Sequence, residues 1–176
     1  GHARRVGTCD FHPEGGLIAT GSADGSVRLW DPKTANETAR FDQHESEVNA
    51  VRFTADGSRL VSCDWRGVVN VRRLGDGQAP ATPFQVPGGN VDDMAFDPTS
   101  NRVAVNRGQD VLVLRLDDTQ LSVERVIEAH SDRARGVTFH PSGNRLVSSG
   151  NDGTIRIFDV ETGSMLTRLS GFNHLG

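Results

Sequence analysis

The sequence predicts an all-β protein built from four equivalent units, and three observations support this fold class. Four phenylalanines, each closing a short apolar run, are spaced by 42, 43 and 43 residues: Phe11, Phe53, Phe96 and Phe139. Apolar residues occupy five further columns of the same register in all four units, as expected for an internal repeat. Within the units, segments such as 155–157 alternate apolar and polar residues, which is the period of a β-strand.

Each unit reads as three strong strands followed by a weaker outer strand. A turn cluster such as 13–16 follows the first strand, and Asp-Gly turns such as 24–25 and 152–153 join the second strand to the third. The predicted outer strands are 37–41, 82–86, 121–127 and 165–169. We predict one domain over residues 1–176, with repeats at about 1–43, 44–86, 87–129 and 130–170, and a fifth repeat or a tail starting at 171–176.

The repeat length predicts how the units pack. A four-stranded antiparallel unit cannot bury both of its faces alone, and radial stacking of such units gives a β-propeller with one unit per blade. A closed barrel or a β-sandwich is the alternative, but neither predicts so strict a register. Four blades leave two apolar blade faces open. The chain is therefore either half of an eight-bladed ring made by two copies or a segment of a longer propeller.

Composition excludes several classes of protein. The 176 residues are 35% hydrophobic and 24% charged, and the net charge of −4 argues against a dedicated binder of nucleic acid or of an anionic membrane. The two cysteines, Cys9 and Cys63, are too few for a disulfide framework or a four-cysteine metal site. We expect both to be buried, reduced thiols of a cytoplasmic protein.

The residues also carry a family resemblance. His2 together with the run 24–31, Asp-Gly-Ser-Val-Arg-Leu-Trp-Asp, resembles the WD-repeat β-propeller family, and the resemblance covers essentially the whole chain. In that family a hydrogen-bonded tetrad of His, Ser or Thr, Asp and Trp holds each blade together. The resemblance implies a complete tetrad in the first repeat: His2, Thr20, Asp24 and Trp30.

The other repeats depart from this pattern. The fourth repeat keeps three members and has a phenylalanine in the tryptophan position: His130, Ser148, Asp152 and Phe158. The second keeps His44 and Ser62, whereas Arg66 and Arg72 stand in the Asp and Trp positions. The third repeat has no tetrad at the corresponding positions: Pro87, Val105, Gln109 and Arg115. The resemblance implies a structural role for these groups, and we predict no catalytic residue, no metal site and no cofactor.

The resemblance further implies a partner-binding face, formed by the loops that precede the inner strands. Nine residues of this chain occupy the corresponding positions: Arg5, Glu47, Asn49, Trp65, Asn90, Asp92, Arg133, Arg135 and Asn151. Trp65 is the most informative of them because an exposed tryptophan in a turn is a natural binding anchor. Alternatively, its indole folds over its own blade and covers the gap left by the incomplete tetrad.

Two functions fit this sequence. The first is a non-enzymatic protein–protein interaction scaffold whose propeller loops bind a protein or peptide partner. The alternative is a structural assembly unit that completes a ring or oligomerises within a larger signalling protein, as a homodimer or with the remaining blades of a larger propeller. A propeller enzyme is a third class and would require a carboxylate cluster with raised pKa values. Neither nucleic acid nor a membrane is an expected partner.

Overall fold

The regular structure of the chain consists of β-strands. The computed structural model describes residues 1–75 and 82–171, and these residues contain sixteen strands in four four-stranded antiparallel sheets. In each sheet, strands that follow one another in the chain lie next to one another. The predicted all-β fold with four blades is thus confirmed. Residues 172–176, part of the predicted fifth repeat or tail, lie outside the described residues.

The sixteen strands divide into blades 1 to 4 in chain order. Blade 1 contains β1 (Val6–Phe11), β2 (Ile18–Ser22), β3 (Val27–Trp30) and β4 (Glu37–Phe41). Blade 2 contains β5 (Val48–Phe53), β6 (Arg59–Asp64), β7 (Val68–Arg73) and β8 (Thr82–Gln85). Blade 3 contains β9 (Val91–Phe96), β10 (Arg102–Arg107), β11 (Asp110–Asp117) and β12 (Gln120–Ile127). Blade 4 contains β13 (Ala134–Phe139), β14 (Arg145–Gly150), β15 (Ile155–Asp159) and β16 (Met165–Leu169).

No helix in residues 1–75 and 82–171 has the length and hydrophobicity of a transmembrane segment.

The chain forms two compact units. The first comprises Gly1–Val91 with Asp118–Gln120, and the second comprises Asp92–Asp117 with Leu121–Gly176. In the first unit, β5 of blade 2 packs against β1 and β2 of blade 1. In the second unit, β13 of blade 4 packs against β10 and β11 of blade 3. Each unit therefore contains at least one junction between successive blades.

Each junction buries an apolar cluster that follows the repeat register. The cluster of the first unit consists of Ala19, Val27, Leu29, Val48, Val51, Phe53 and Leu60. The cluster of the second unit consists of Ala95, Ala104, Val111, Val113, Ile127, Ala129, Val137, Phe139, Leu146, Phe158 and Val160. Burial of each valine, leucine, isoleucine or phenylalanine in these clusters is worth about 1.5–3 kcal/mol. Stacking of blades thus supplies the apolar burial that a single blade cannot provide.

Side chains of one inner strand also bond to the backbone of the next inner strand. The backbone N–H of Phe53 donates to Asp10 Oδ2 at 2.8 Å, and that of Val51 donates to Thr8 Oγ1 at 3.3 Å. In the second unit, the Val137 N–H donates to Asp93 Oδ2 at 3.2 Å. These bonds satisfy strand-edge donors that the sheet itself leaves unpaired.

The cysteines differ in burial. Cys63 on β6 is buried, whereas Cys9 on β1 is exposed, so the prediction of two buried thiols is wrong for Cys9. The aligned residues Val51 and Val137 are buried because a preceding blade covers them. Blade 2, the other blade of the first unit, packs against the opposite face of blade 1.

Candidate functional site

The tetrad residues of blade 1 form a continuous chain of hydrogen bonds. The indole Nε1–H of Trp30 donates to Thr20 Oγ1 at 2.8 Å, and this hydroxyl lies 2.7 Å from His2 Nε2. His2 Nδ1 lies 3.0 Å from Ser26 Oγ, whose hydroxyl donates to Asp24 Oδ1 at 2.6 Å. If the hydroxyls donate onward, every bond is satisfied when Nδ1 carries the imidazole proton. Asp24 Oδ2 also lies 3.4 Å from His2 Nδ1, so Asp24 acts on His2 both directly and through Ser26.

Burial and hydrogen bonding set the charge states of this chain. Burial disfavours the imidazolium and lowers the pKa of His2, although the nearby Asp24 opposes this shift. Burial also opposes ionisation of Asp24, but hydrogen bonds from the Ser26 side chain and from the backbone N–H of Ala3 and Ser26 outweigh it. The pKa of Asp24 is consequently far below its usual range. The neutral imidazole and the ionised carboxylate thus fix the segment before β1 and the turn between β2 and β3 against these two strands.

Blade 4 repeats the arrangement without the indole. His130 Nδ1 lies 3.0 Å from Asp152 Oδ1, and Nε2 lies 3.1 Å from Ser148 Oγ. The Thr154 hydroxyl takes the place of Ser26 and donates to Asp152 Oδ1 at 2.7 Å. Phe158, in the tryptophan position, is buried and packs in the apolar cluster of its unit. His130, Ser148 and Asp152 therefore lie together, and Phe158 contributes apolar packing.

Blade 2 contains a carboxylate that the sequence alignment missed. His44 Nδ1 lies 3.1 Å from Asp64 Oδ2, and Nε2 lies 2.7 Å from Ser62 Oγ. Asp64 stands two residues before the aligned Asp position, at the end of β6, and both side chains are buried. The prediction that this histidine lacks an aspartate is therefore wrong. Arg66 is exposed and pairs instead with Glu45.

The tryptophan position of blade 2 holds a buried arginine. The Arg72 guanidinium lies 4.0 Å from the centroid of the Phe41 ring, a cation–π contact. Beside it lies a cavity of about 10 Å³, about the size of one water molecule. Its lining is Val27, Phe41, Gln43, His44, Leu60, Ser62, Asn70 and Arg72. A guanidinium packed on an aromatic ring thus stands at the sequence position of the blade 1 indole.

Blade 3 contains no corresponding set among its described residues. Val105 is buried, while Arg115 is exposed and pairs with Asp117. Gln109 donates from Nε2 to the Ser131 carbonyl at 3.1 Å. Asn106 is fully buried, and neither of its amide atoms has a hydrogen-bond partner. Apolar side chains therefore hold this blade together.

Two arginines that were not among the predicted site residues extend the tetrads. Arg28 Nε donates to Ser26 Oγ at 3.4 Å, and Arg156 Nε donates to Thr154 Oγ1 at 3.1 Å. Arg28 also pairs with Glu37. The recurrence of Asp-Gly-Ser-Val-Arg and Asp-Gly-Thr-Ile-Arg at the same register was the signal that could have identified them.

The predicted partner-binding residues of the first unit lie around the ends of the blade 1 and blade 2 strands. Arg5 pairs with Glu47, whose backbone carbonyl accepts from the Trp65 N–H at 2.9 Å. Asn49 donates from Nδ2 to the Val91 carbonyl at 2.6 Å, and Asn90 is exposed. Arg5, Glu47 and Trp65 are therefore brought together.

A polar cleft of about 450 Å³ lies at this place. Its lining is Arg4, Ala23, Asp24, Gly25, His44, Glu45, Ser46 and Glu47. Gly25 has a φ of +80°, and a Cβ there would lie 2.5 Å from the His44 carbonyl oxygen. The turn of blade 1 can approach the entry loop of blade 2 only because this residue is glycine.

The second unit brings three predicted residues together in an ion-pair cluster. Asp92 accepts from Arg133 Nε at 2.6 Å and from Arg135 Nη1 at 3.3 Å. Asn151 is exposed, and its N–H donates to the Arg133 carbonyl at 2.8 Å. The cluster thus holds one carboxylate between two guanidinium groups.

Three inner strands carry a bulge at the same place. The register shifts between Val6 and Thr8, between Val48 and Ala50, and between Ala134 and Gly136. The bulged positions include two of the predicted partner-binding residues, Asn49 and Arg135. Because a bulge changes the direction of a side chain, the same local feature repeatedly aims this position away from the regular ladder.

The chemistry available to these groups is structural. Although a histidine, a carboxylate and a hydroxyl resemble a hydrolytic triad, the hydroxyls of Ser62 and Ser148 are buried and Thr20 accepts from Trp30. Over residues 1–75 and 82–171, no group of three or more His, Cys, Asp or Glu side chains is arranged to hold a metal ion.

Stacked four-stranded blades with His, hydroxyl, Asp and Trp networks define a repeat protein of the propeller class. The family model described as "WD domain, G-beta repeat" matches residues 1–31, 35–72 and 121–159. The chain therefore belongs to the WD40 repeat family, as the sequence resemblance predicted. The unmatched segment between 72 and 121 contains most of blade 3. WD40 proteins generally act as protein-interaction scaffolds and are typically non-enzymatic.

Curated relatives share about a quarter of their aligned residues with the chain. It is 26% identical over 166 residues to WD repeat-containing protein SL1-17 of Schistosoma mansoni, covering 94% of the chain and 54% of that relative. It is 26% identical over 161 residues to Periodic tryptophan protein 2 homolog of Caenorhabditis elegans, covering 90% of the chain and 17% of that relative. It is 25% identical over 206 residues to Protein hir1 of Schizosaccharomyces pombe, covering 99% of the chain and 22% of that relative. The chain thus spans about half of the first relative and about a fifth of the other two.

Proposed function

We propose that the chain is a non-enzymatic interaction scaffold that presents its loops to a protein or peptide partner. The observation that carries this proposal is Trp65, whose side chain is 39% exposed in the turn between β6 and β7. Its backbone is held by Glu47, so the turn is ordered before a partner arrives. Exposed aromatic residues on ordered turns are frequent centres of binding energy, which supports the anchor role over the cover role.

The cleft of the first unit suggests how a partner would be oriented. Glu45 and Glu47 provide carboxylates at its rim, and Arg4 provides a guanidinium. An extended peptide could place an apolar side chain on Trp65 and its polar groups in this cleft. Because the ion pairs of Glu45 and Glu47 are solvent-exposed, rearranging them costs about 1 kcal/mol or less each.

The test compares two exposed side chains of different location. Trp65→Ala should reduce capture of a specific partner at least about tenfold, the effect of losing one central aromatic contact. Val123→Ala is the control, because Val123 is 41% exposed but lies on the outer strand β12. Proteins captured by the wild-type chain and by both variants would be quantified by mass spectrometry, and affinities measured with the purified partner. Equal capture by all three would contradict the anchor role.

A second function, ring completion or oligomerisation, is supported by the open face of blade 1. Phe11 on β1 is 63% exposed, whereas the aligned Phe53 and Phe139 are buried. Such a face suits a further blade, supplied by a second copy or by the rest of a larger propeller within a signalling protein. Light scattering would test the homodimer, because a species of 19.0 kDa at all concentrations contradicts it.

The cytoplasmic location expected from the sequence also stays a proposal. Neither Cys9 nor Cys63 is in a disulfide, which supports a reducing compartment. Fractionation of the source cells would test it.

A further inference from the structure

The junction within the first unit shows which side chains join the face of one blade to the face of the next blade. His12, directly after β1, packs edge-on against the Phe53 ring with centroids 5.2 Å apart and planes at 75°. Its Nε2 lies 3.1 Å from the Gly57 carbonyl oxygen. Gly57 has a φ of +68°, and a Cβ there would overlap the His12 ring. The receiving blade thus contributes a phenylalanine and a glycine, and the preceding blade contributes a histidine.

The open edge of blade 1 carries the same receiving groups. Phe11 aligns with Phe53 and is 63% exposed. Gly15 aligns with Gly57, has a φ of +73°, and has no atom within 4 Å of the position where its Cβ would lie. Val6, at the start of β1, is 50% exposed, whereas the aligned Val48 is fully buried. Each receiving position is present and uncovered.

Blade 4 carries the matching groups on its opposite edge. His140 directly follows β13, aligns with His12 and is exposed. Thr138 aligns with Asp10, the acceptor for the Phe53 N–H, and its hydroxyl is an acceptor as well. Blades 2 and 3 have Thr54 and Asp97 in place of this histidine. Of the other three blades, blade 4 alone can therefore repeat the contact that blade 1 makes with blade 2.

A recess next to these groups offers apolar surface. It has a volume of about 270 Å³ and is lined by Asp93, Gly136, Val137, Thr138, Val147, Ser149 and Ile155. Ser149 of this lining aligns with Gly21, where a Cβ would lie 2.5 Å from Val48 Cγ1. A docked valine therefore has to enter the recess beside Ser149, on the side of Gly136. Val6 of a docked blade would face the recess.

We propose that blade 4 of one copy of this chain docks on blade 1 of a second copy, with His140 against Phe11 and Gly15 and with Val6 at the recess. This inference rests on the assembly role proposed above and assigns a second copy as the occupant. Thr138 Oγ1 would accept from the Phe11 N–H, as Asp10 accepts from Phe53. The contact is apolar and needs no new ion pair, because Arg5, Arg133 and Arg135 already pair within their own units.

Two valines of equal exposure provide the test. Val6 is 50% exposed at the proposed contact, and Val126 is 51% exposed on the outer strand β12. Sedimentation velocity should show self-association of the wild-type chain beyond 19.0 kDa, persisting at high ionic strength because screening does not weaken apolar contacts. Val6→Glu should weaken self-association about tenfold or more, because a carboxylate would enter an apolar recess. Val126→Glu should leave it unchanged.

His140→Asp is the second variant, and it should also weaken self-association while leaving the circular dichroism spectrum unchanged. Two differently tagged wild-type copies should co-purify. A monomer at every concentration would overturn the inference, as would dissociation by Val126→Glu with retention by Val6→Glu. Partner capture through Trp65 is measured separately, so a monomer that still binds its partner contradicts the self-association and leaves the scaffold proposal intact.

Discussion

Blades 4 and 3 pack against each other in the second unit and are stabilised by different means. Blade 4 joins its strands and turns through the side chains of His130, Ser148 and Asp152. Blade 3 has no such network in its described part, and its second and third strands carry fully or almost fully buried apolar residues: Val103, Ala104, Val105, Val111, Leu112, Val113 and Leu114. The comparison shows that the blade geometry does not require the tetrad, provided that apolar contacts replace it.

The largest expected effect tests the apolar blade. Leu112→Ala should lower the free energy of unfolding by about 3 kcal/mol, because it leaves a cavity in a fully buried position. Leu166→Ala on the exposed strand β16 is the matched control and should have little effect. Urea denaturation measures both, and equal losses would show that blade 3 does not depend on this packing.

The second largest effect is expected in blade 4, where a hydrogen-bond network joins the strands and turns. Asp152→Ala removes the acceptor for His130 and Thr154 and should cost about 2 kcal/mol, because buried donors lose their partner. Asp117→Ala breaks only an exposed ion pair with Arg115 and should cost less than about 1 kcal/mol. The same denaturation measurement distinguishes the two, and an equal cost would argue against a stabilising role for the blade 4 network.

Two asparagines should respond with opposite signs. Asn106→Val should stabilise the protein by about 1 kcal/mol, because both amide atoms are buried without a partner. Asn49→Val should destabilise it by about 1 kcal/mol, because the hydrogen bond to the Val91 carbonyl is lost. Thermal denaturation of the two variants checks the signs. A destabilised Asn106→Val would mean that this amide has a role in blade 3 that apolar packing cannot supply.

The smallest effect is a dependence on pH that arises in the networked blades. The pKa of His2 is lowered in the folded state by burial, so its contribution to stability is complete above its unfolded pKa of about 6.5. It is lost as the pH falls through the folded value, since the unfolded chain binds the proton first. Asp24 and Asp152, whose pKa values are lowered, contribute above about pH 3.9 and lose their contribution below it.

Melting temperatures measured between about pH 8 and 5 test the histidine part of this dependence. His2→Gln should lower the melting temperature at neutral pH but reduce its decrease on acidification. An unchanged slope in this variant would show that His2 does not contribute to the acid sensitivity.

The fold could be predicted from the sequence because the repeat is a property of many positions. The predicted outer strands 37–41 and 165–169 coincide with β4 and β16, and the other two differ by one residue at one end. Alternating apolar columns determine this register, since a shift by one residue would move every side chain to the opposite face of the sheet. The loss of any one tetrad residue leaves that pattern intact.

The polar details were less predictable, because several local solutions satisfy the same buried group. His44 finds its carboxylate at Asp64, two residues before the aligned position, which fixed spacing could not reveal. The exposure of Cys9 depends on whether another blade packs against its face of blade 1. The apolar pattern of a strand carries no information about such neighbouring blades. The nine predicted partner-binding residues include ion pairs such as Arg133 with Asp92, whose partners depend on packing between blades.

The bonds from Phe53, Val51 and Val137 to side chains of the preceding blade have a consequence for the fate of the protein in a crowded cell. An inner strand is an edge strand of its sheet, and an uncovered edge strand can pair with strands of other molecules and form amyloid-like stacks. The backbone N–H donors of these edge strands are bonded to the side chains of Asp10, Thr8 and Asp93, which do not extend the sheet. These donors are therefore not free to pair with a further strand. A substitution such as Asp10→Ala would therefore endanger solubility more than it would change the shape of the blade.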